Sequence, residues 1–531
     1  MNSLEALAIA VVVGLAYLAR RIGGDPQLER PIVLGPIVGL ILGDLQTGVV
    51  VGGTLELIFI GAAAFGGTAP PNVAIGTAVG TAFAITTGQG VETALLAAVP
   101  AAVVGTFFEL FAKGSCSVLV HRADVAAATG QSPGVTSTIW IGNSIHFLAY
   151  AVPTFLALNF GADVVQSVTD ALSGDVENAL KTAAAILPAV GFGILLSVLY
   201  SKALFPLFLA GFAVAAYTDF TVIGVALLTV TLVMVVLRPS HASQPAPVTV
   251  GSGGTDAAPE RSRATAAPEE RREVRQLVWR SMLLQASFNY ERFQNMGFWW
   301  MMRPVLDREY PSKEERAAAY SRHLVYFNTH PWAVGPIAGI VASMEKRRAQ
   351  GDHLDDEAIN SVKVGLMAPL AGIGDSLVFG TLRPVMSGLC AALAISGNVA
   401  APLIFFFGLL VVQLLLRYYG VAAGYYQGTK FFERLAPAQV DRLKLGATVV
   451  GLTVVGALVA SLLPLSTPLT YHRGETEISL QESLDQVLPG LLPLAATLVV
   501  FFLVRRRVSP TWVLIGAAVV GLVAGYFGVL A

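Results

Sequence analysis

The sequence predicts an all-α polytopic membrane protein built of two modules with broken helices and re-entrant hairpins. Three observations carry this. The chain has 531 residues, 54% of them hydrophobic and only 13% charged, whereas soluble domains carry roughly a quarter charged residues. Apolar runs of membrane-spanning length recur along it. One polar, low-complexity stretch divides it. Such a chain cannot cover a water-facing surface, which excludes a soluble enzyme. A net charge of −1 without a basic stripe argues against a nucleic-acid partner. Two cysteines, Cys116 and Cys390, make neither a disulfide framework nor a zinc site.

The apolar runs come in order. Leu4–Leu18, Glu92–Ala112, Thr136–Phe160, Leu180–Tyr200 and Thr221–Leu237 read as spans in the first half. Val449–Leu463, Val487–Val504 and Trp512–Leu530 read as spans near the end. Arg20 and Arg21 follow the first run rather than precede it, so that run is not a cleaved signal peptide. The positive-inside rule then puts the N-terminus outside and Lys113, Arg122, Lys202 and Arg238 in the cytoplasm. A hairpin with Leu204–Tyr217 as its first arm keeps the parity. Arg505–Arg507 face the cytoplasm, which sends the C-terminus outside.

Residues 239–270 are rich in Ser, Pro, Gly, Ala and Thr and cannot bury a core. They read as a disordered cytoplasmic linker joining a membrane domain at 1–238 to a second domain at 271–531. The second domain opens with a mixed stretch, 271–360, followed by a membrane part, 361–531. The aromatic run Trp279–Trp300 suits either an interfacial helix or a soluble helical subdomain packed on the membrane part.

Pro31–Ile85 is apolar yet crowded with Gly and Pro, and so is 362–385 (VKVGLMAPLAGIGDSLVFGTLRPV). Non-helical backbone at membrane depth must be buried or line a cavity. Paired interrupted segments point to a transporter's binding site. The two stretches share Gly43–Asp44 with Gly374–Asp375, and Gly53–Thr54–Leu55–Glu56 with Gly380–Thr381–Leu382–Arg383, a faint repeat that leaves room for inverted pseudo-symmetry. Intramembrane acids cost roughly 2.5–3.5 kcal/mol each on insertion scales. Asp44 and Asp375 follow Gly and read as helix caps. Glu56 sits mid-run and reads as lining the substrate path. Asn72, after Pro70–Pro71, is either a turn residue or a ligand.

These residues carry a family resemblance. RPIVLGPIVGLILGDLQTGVVVGGTLELIFIGAAAFGGTAPPN resembles the membrane IIC component of the mannose–fructose–sorbose family of the sugar phosphotransferase system. SFNYERFQNMGFWWMMRPVL, HLVYFNTHPWAVGPIAGI, INSVKVGLMAPLAGIGDSLVFGTLRPV and RYYGVAAGYYQG resemble the IID component. The resemblance implies a IIC–IID fusion in the bacterial inner membrane, translocating a hexose of the mannose, fructose, sorbose or amino-sugar class. It implies elevator-type motion, homotrimers, and phosphorylation by separate cytoplasmic IIA and IIB proteins that hold the phosphoryl-transfer residues. Two departures stand out: Asn72 replaces the Asp of a common PPD pattern, and His330 replaces the Gln of FNTQP.

A neutral hexose is recognised by carboxylates, amides and aromatic faces, with no metal or other cofactor required. The candidates for substrate binding are Gln27, Glu56, Thr68, Asn72, Asn328, His330 and Asp375, with Asp44, Thr54 and Arg383 supporting them; no residue is read as catalytic. The basic residues Arg308, Lys313, Arg316, Arg322, Lys346 and Arg347 offer a surface that steers an acidic IIB partner, or else simply solvate helices. A competing reading is an ion-coupled secondary sugar transporter, with Glu56 as the cycling acid. A receptor or scaffold is a third, disfavoured because it has no use for cavity-lining broken helices.

Overall fold

The computed structural model describes residues 1–61, 70–88, 90–161, 174–236, 267–428, 437–473 and 476–531. The stretch from 237 to 266, most of the expected linker, lies outside them, as does Thr68. Helices dominate. Among the described residues seven are long and apolar enough to cross a membrane: Ser3–Ile22, Ala94–Ala128, Ser132–Phe160, Lys181–Leu199, Asp356–Ile395, Ala401–Gln427 and Lys444–Leu462. A bent pair, Leu480–Val487 with Leu491–Arg505, turned by 76°, is a broken span or a re-entrant loop. A small antiparallel hairpin, Thr470–Arg473 with Thr476–Ser479, was not expected from the sequence.

Helix α1, Ser3–Ile22, starts at a capping box: Asn2 accepts from the Glu5 amide while Glu5 accepts from the Asn2 amide, both at 2.8 Å. It leads into a loop at 23–30, and then Pro31–Ile85 breaks as expected into three short helices, α2 (Pro31–Leu42), α3 (Leu45–Ile58) and α4 (Val73–Thr87). Proline at the first position starts α2, and left-handed Gly43 (φ +82°) ends it. The glycines between these breaks have a packing role. A Cβ on Gly48 would lie 2.7 Å from the Gly35 carbonyl and 2.8 Å from Gly39 Cα, and one on Gly35 would lie 2.7 Å from Gly52 Cα. Thus α2 and α3 pack backbone to backbone, a small-residue seam of the kind membrane helices use.

Helix α5, Val91–Ala128, has 38 residues, so at ~1.5 Å per residue it spans ~57 Å, well beyond the ~30 Å of a bilayer core. Its far end and the start of α6 (Ser132–Phe160) share one core with the second half: Ala123, Ala127, Val135 and Ile139 pack with Leu277, Phe298, Trp299, Met302 and Tyr320. Phe298 and Trp299 are fully buried, so the aromatic run is the core of a helical subdomain rather than a row of rings at headgroup depth. Trp279, by contrast, is 62% exposed and does suit an interface.

Three expectations for the second half need correction. Ala401–Gln427 is a full-length helix that the hydropathy reading passed over, because Arg417 and a Gly-rich end interrupt its apolar run. Residues 362–385 do not form a re-entrant break. Asp356–Gly374 continues through a π-helical segment, Asp375–Leu382, into Arg383–Ile395; such π segments frequently mark functional sites. Asp375 therefore has helical geometry and caps no helix N-terminus, whereas Asp44 does cap α3, accepting from the Thr47 amide at 2.9 Å. The Gly43–Asp44 and Gly374–Asp375 pairs thus occupy different local structures.

The two halves interdigitate. Ile32, Val33 and Val49 share a core with Trp332, Val378, Cys390 and Phe405. Phe192, Phe208 and Phe212 share another with Leu452, Val455 and Leu458. Polar bonds cross the seam too: Arg292 grips Asp124 with both terminal nitrogens, at 2.8 and 2.9 Å.

Candidate functional site

The break between α1 and α2 opens beside the break before α4, and the second half closes the space between them. A cavity of about 70 Å³ results, several times the ~10–15 Å³ that one buried water needs. Its walls are the 20–30 segment, Pro70–Ala74, Glu109 of α5, Tyr150 of α6, and Phe379 and Arg383 of the second half.

Each wall has a local reason for its shape. Asp25 and Gln27 flank Pro26 with φ of +70° and +62°, a left-handed conformation that costs roughly 1–3 kcal/mol in non-glycine residues. The second half holds it in place. Arg417 Nη2 donates to the Gly24 carbonyl at 2.9 Å and Gln413 Nε2 to that of Gly23 at 3.2 Å. Within the loop Gln27 Nε2 donates to Asp25 Oδ1 at 2.7 Å. Asn72 caps α4, accepting from the Ile75 amide at 3.1 Å, while its own backbone amide is tied to the Ala102 carbonyl at 2.8 Å. Gly105 makes room for it: a Cβ there would lie 2.9 Å from that of Asn72.

Six charges line the space: Arg20, Arg30 and Arg383 against Asp25, Glu29 and Glu109. Most are paired. Arg20 meets Glu29 at 2.7 Å. Glu109 takes Lys113 at 2.6 Å and the Tyr150 hydroxyl at 2.9 Å. Arg30 donates to Glu56 through Nε at 3.0 Å and Nη2 at 2.5 Å. Tyr150 stacks on Tyr17 at 3.5 Å between ring centroids, and Phe379 lies under the Arg383 guanidinium at 5.1 Å.

Gln27, Asn72 and Arg383 are thus brought together as wall residues. Glu56 stands one layer back, not on the wall. It is fully buried, and besides Arg30 it accepts from Ser387 Oγ at 2.5 Å and from the Ile32 amide at 3.4 Å. Its charge is neutralised by a guanidinium, which is why an acid at this depth is tolerated. His330 also stands behind the wall, its ring 4.5 Å from that of Phe379. Its Nδ1 accepts from the Trp332 amide at 3.2 Å, and its Nε2 has no partner among the described residues. Asn328 and Asp375 are partly buried and off the wall. Thr54 bonds within its own helix, to the Val50 carbonyl at 3.0 Å.

Sequence reading missed Asp25, Glu29, Arg30, Glu109, Tyr150, Phe379 and Arg417. The signal was there for Glu109 and Arg417, since both interrupt long apolar runs, where a charge is a functional hypothesis by default. The basic residues expected on a docking surface are mostly engaged within the chain. Arg308 pairs with Glu273 and Glu309, Arg322 with Glu345, Arg347 with Asp352, and Arg316 bonds the Gly130 carbonyl. Lys346 reaches Glu270 at 4.0 Å, while Lys313 is exposed.

Outside the membrane spans one buried polar cluster stands out. Arg322 and His323 both donate to Glu345, at 2.9 and 2.8 Å, and Tyr310 donates to it at 2.6 Å. Burial pushes the His323 imidazole down to about 4 despite the attraction of Glu345. Burial alone would raise Glu345, but His323 and then Arg322 hold it well below the usual carboxylate range.

These features define a class: a polytopic helical membrane protein with a polar cavity walled by both of its halves. The chain belongs to the mannose/fructose/sorbose family of the sugar phosphotransferase system, and it is a membrane permease with IIC and IID parts on one polypeptide. Residues 3–235 match the family described as the PTS system sorbose-specific IIC component, and residues 270–530 that of the mannose/fructose/sorbose family IID component. The chain is 39% identical to the fructose permease IID component of Bacillus subtilis, over 49% of this chain and 97% of that one. It is 42% identical to the mannose-specific EIID component of Escherichia coli K12, over 48% and 92%. Its front half is 30% identical to the mannose-specific EIIC component of the same organism, over 42% and 84%. Among solved structures, one titled as a membrane protein covers 49% of this chain and 98% of its own at 39% identity and a TM-score of 0.47. A cryo-EM structure of a mannose transporter with microcin E492 covers 49% and 98% at 41% identity and a TM-score of 0.30.

Proposed function

We propose that the chamber between the halves is the hexose site, and that hexose delivered through it is phosphorylated by a separate IIB protein on the cytoplasmic side. The observation that carries this is the composition of the walls. Amides (Gln27, Asn72), carboxylates, guanidinium groups and two aromatic faces (Tyr150, Phe379) converge on one cavity, which is the chemistry a polyhydroxylated neutral ring calls for. Gln27 and Asn72 are direct ligands in this reading, and Glu56 acts through Arg30. Asn328, His330 and Asp375 support the wall from the second half, with Asp44 and Thr54 shaping α3. Sugar enters or leaves as a core domain that holds it moves against a scaffold, in elevator fashion. The termini face outward, the linker lies in the cytoplasm as a tether between the two domains, and the working unit is a homotrimer served by IIA and IIB.

The test is reconstitution in vesicles with labelled D-mannose, D-fructose and L-sorbose. Without phosphorylated IIB, sugar binds but accumulates little; with it, hexose phosphate appears on the IIB side. Accumulation of unmodified sugar driven by a proton or sodium gradient would overturn the proposal.

A further inference from the structure

Two of the six wall charges have no ionic partner. Arg383 makes no hydrogen bond or ion pair among the described residues, yet only 6% of it is exposed. Asp25 is 1% exposed; Gln27 occupies its Oδ1, and its Oδ2 has no partner among the described residues. The other four wall charges are neutralised by Glu29, Arg20, Glu56 and Lys113. Burying a guanidinium without hydrogen bonds, and a carboxylate with one oxygen unpartnered, costs several kcal/mol, and evolution tolerates such costs mainly at sites that receive a ligand. Both side chains are also held in place. Asp25 sits on a left-handed residue whose neighbour Gly24 is clamped by Arg417. Arg383 follows directly on the π-helical segment and rests on Phe379 at 5.1 Å. One comes from the first half of the chain and the other from the second.

We propose that Asp25 and Arg383 grip the hexose from opposite halves, the carboxylate accepting from one sugar hydroxyl and the guanidinium donating to the same hydroxyl or its neighbour. A hydroxyl is both donor and acceptor, so one such group satisfies both orphans at once. The bound sugar then bridges the halves, and occupancy of the chamber is tied to their closure. Arg383 becomes a substrate-contacting residue rather than a supporting one. This rests on the reading of the chamber as the hexose site.

The experiment measures binding of D-mannose, D-fructose and L-sorbose to the purified full chain in nanodiscs, followed by monodeoxy analogues of whichever sugar binds. Absence of binding by all three would overturn the hexose reading, and this pair with it. With binding established, Asp25→Asn and Arg383→Gln should each weaken it about ten-fold or more, and the double variant should bind little worse than either single one. One monodeoxy analogue should bind wild type about ten-fold more weakly, yet be indistinguishable from its parent in the double variant. A merely structural role would not erase that discrimination. Simple additivity of the two substitutions, or unchanged binding by both, overturns the pair. If the variants do not assemble, wild type alone still decides: equal binding of every monodeoxy analogue overturns it.

Discussion

Glu56 and Arg30 show how one residue's role follows from what lies beside it. A buried ion pair is weak evidence for stability, but removing one partner strands the other and costs about 3–5 kcal/mol. Glu56→Gln leaves Arg30 charged at 3% exposure, so the variant should lose thermal stability together with sugar binding. Melting of the detergent-solubilised protein checks this; binding lost at unchanged stability would make Glu56 a direct ligand instead. The Glu345 cluster yields a second prediction at this scale. An unfolded imidazole takes a proton below pH ~6.5, whereas His323 in the fold does so only near 4. Between those values the unfolded chain binds more protons, so stability falls as pH falls. Glu345, held low in the fold, adds to the loss below about pH 4.3, the ordinary Glu value. Melting at pH 7 and pH 5 should differ, and His323→Gln, which keeps a donor toward Glu345, should flatten the difference. An unchanged slope in that variant would remove the imidazole from the account.

The short helices α2 and α3 are decided by glycine spacing. Gly35 and Gly39 face Gly48 and Gly52, with no room for a Cβ at 2.6–2.8 Å from backbone atoms. Gly48→Ala should therefore cost about 1–3 kcal/mol as an overpacking change, and Gly48→Leu should prevent assembly. Gly365 is the control. It lies inside the Asp356–Gly374 helix, and a methyl group added there would meet nothing within 4 Å, so Gly365→Ala should be neutral or stabilise by up to about 1 kcal/mol. Size-exclusion profiles and melting of the three variants distinguish these outcomes. The same glycines read from sequence alone as helix breakers. Breaks do occur, at Gly43 and after Ile58, but the interior glycines are there for close approach. Hydropathy cannot tell these uses apart, because both present the same small apolar residue.

At the scale of the molecule the halves share five cores and a set of crossing hydrogen bonds. That arrangement predicts that covalent continuity is dispensable. Opening the chain near Gly253 and co-expressing the pieces should give two polypeptides that co-purify and support uptake. Well-expressed pieces that remain apart, or that co-purify without transporting, would assign the connecting segment an active role.

Composition and hydropathy determined that this chain is a helical membrane protein, and its long local motifs determined the family. Those are properties of stretches of neighbouring residues, and the physics behind them acts locally: apolar length must match bilayer thickness, and Gly and Pro interrupt helices. The breaks visible in sequence, with the family motif for Gln27, singled out Gln27 and Asn72, and the structure puts both on the cavity wall. What only the tertiary structure decided is which charges meet. Arg30 finds Glu56 26 residues away, Ser387 reaches the same carboxylate across 331 residues, and Arg417 holds the Gly24 carbonyl across 393. Electrostatic neutralisation depends on distance in space, and no periodicity along the chain encodes it. For that reason Glu56 moved back from the wall while Asp25, unremarkable in sequence as a loop acid, and Arg383, read there only as a supporting residue, were left facing the cavity without an ion-pair partner among the described residues.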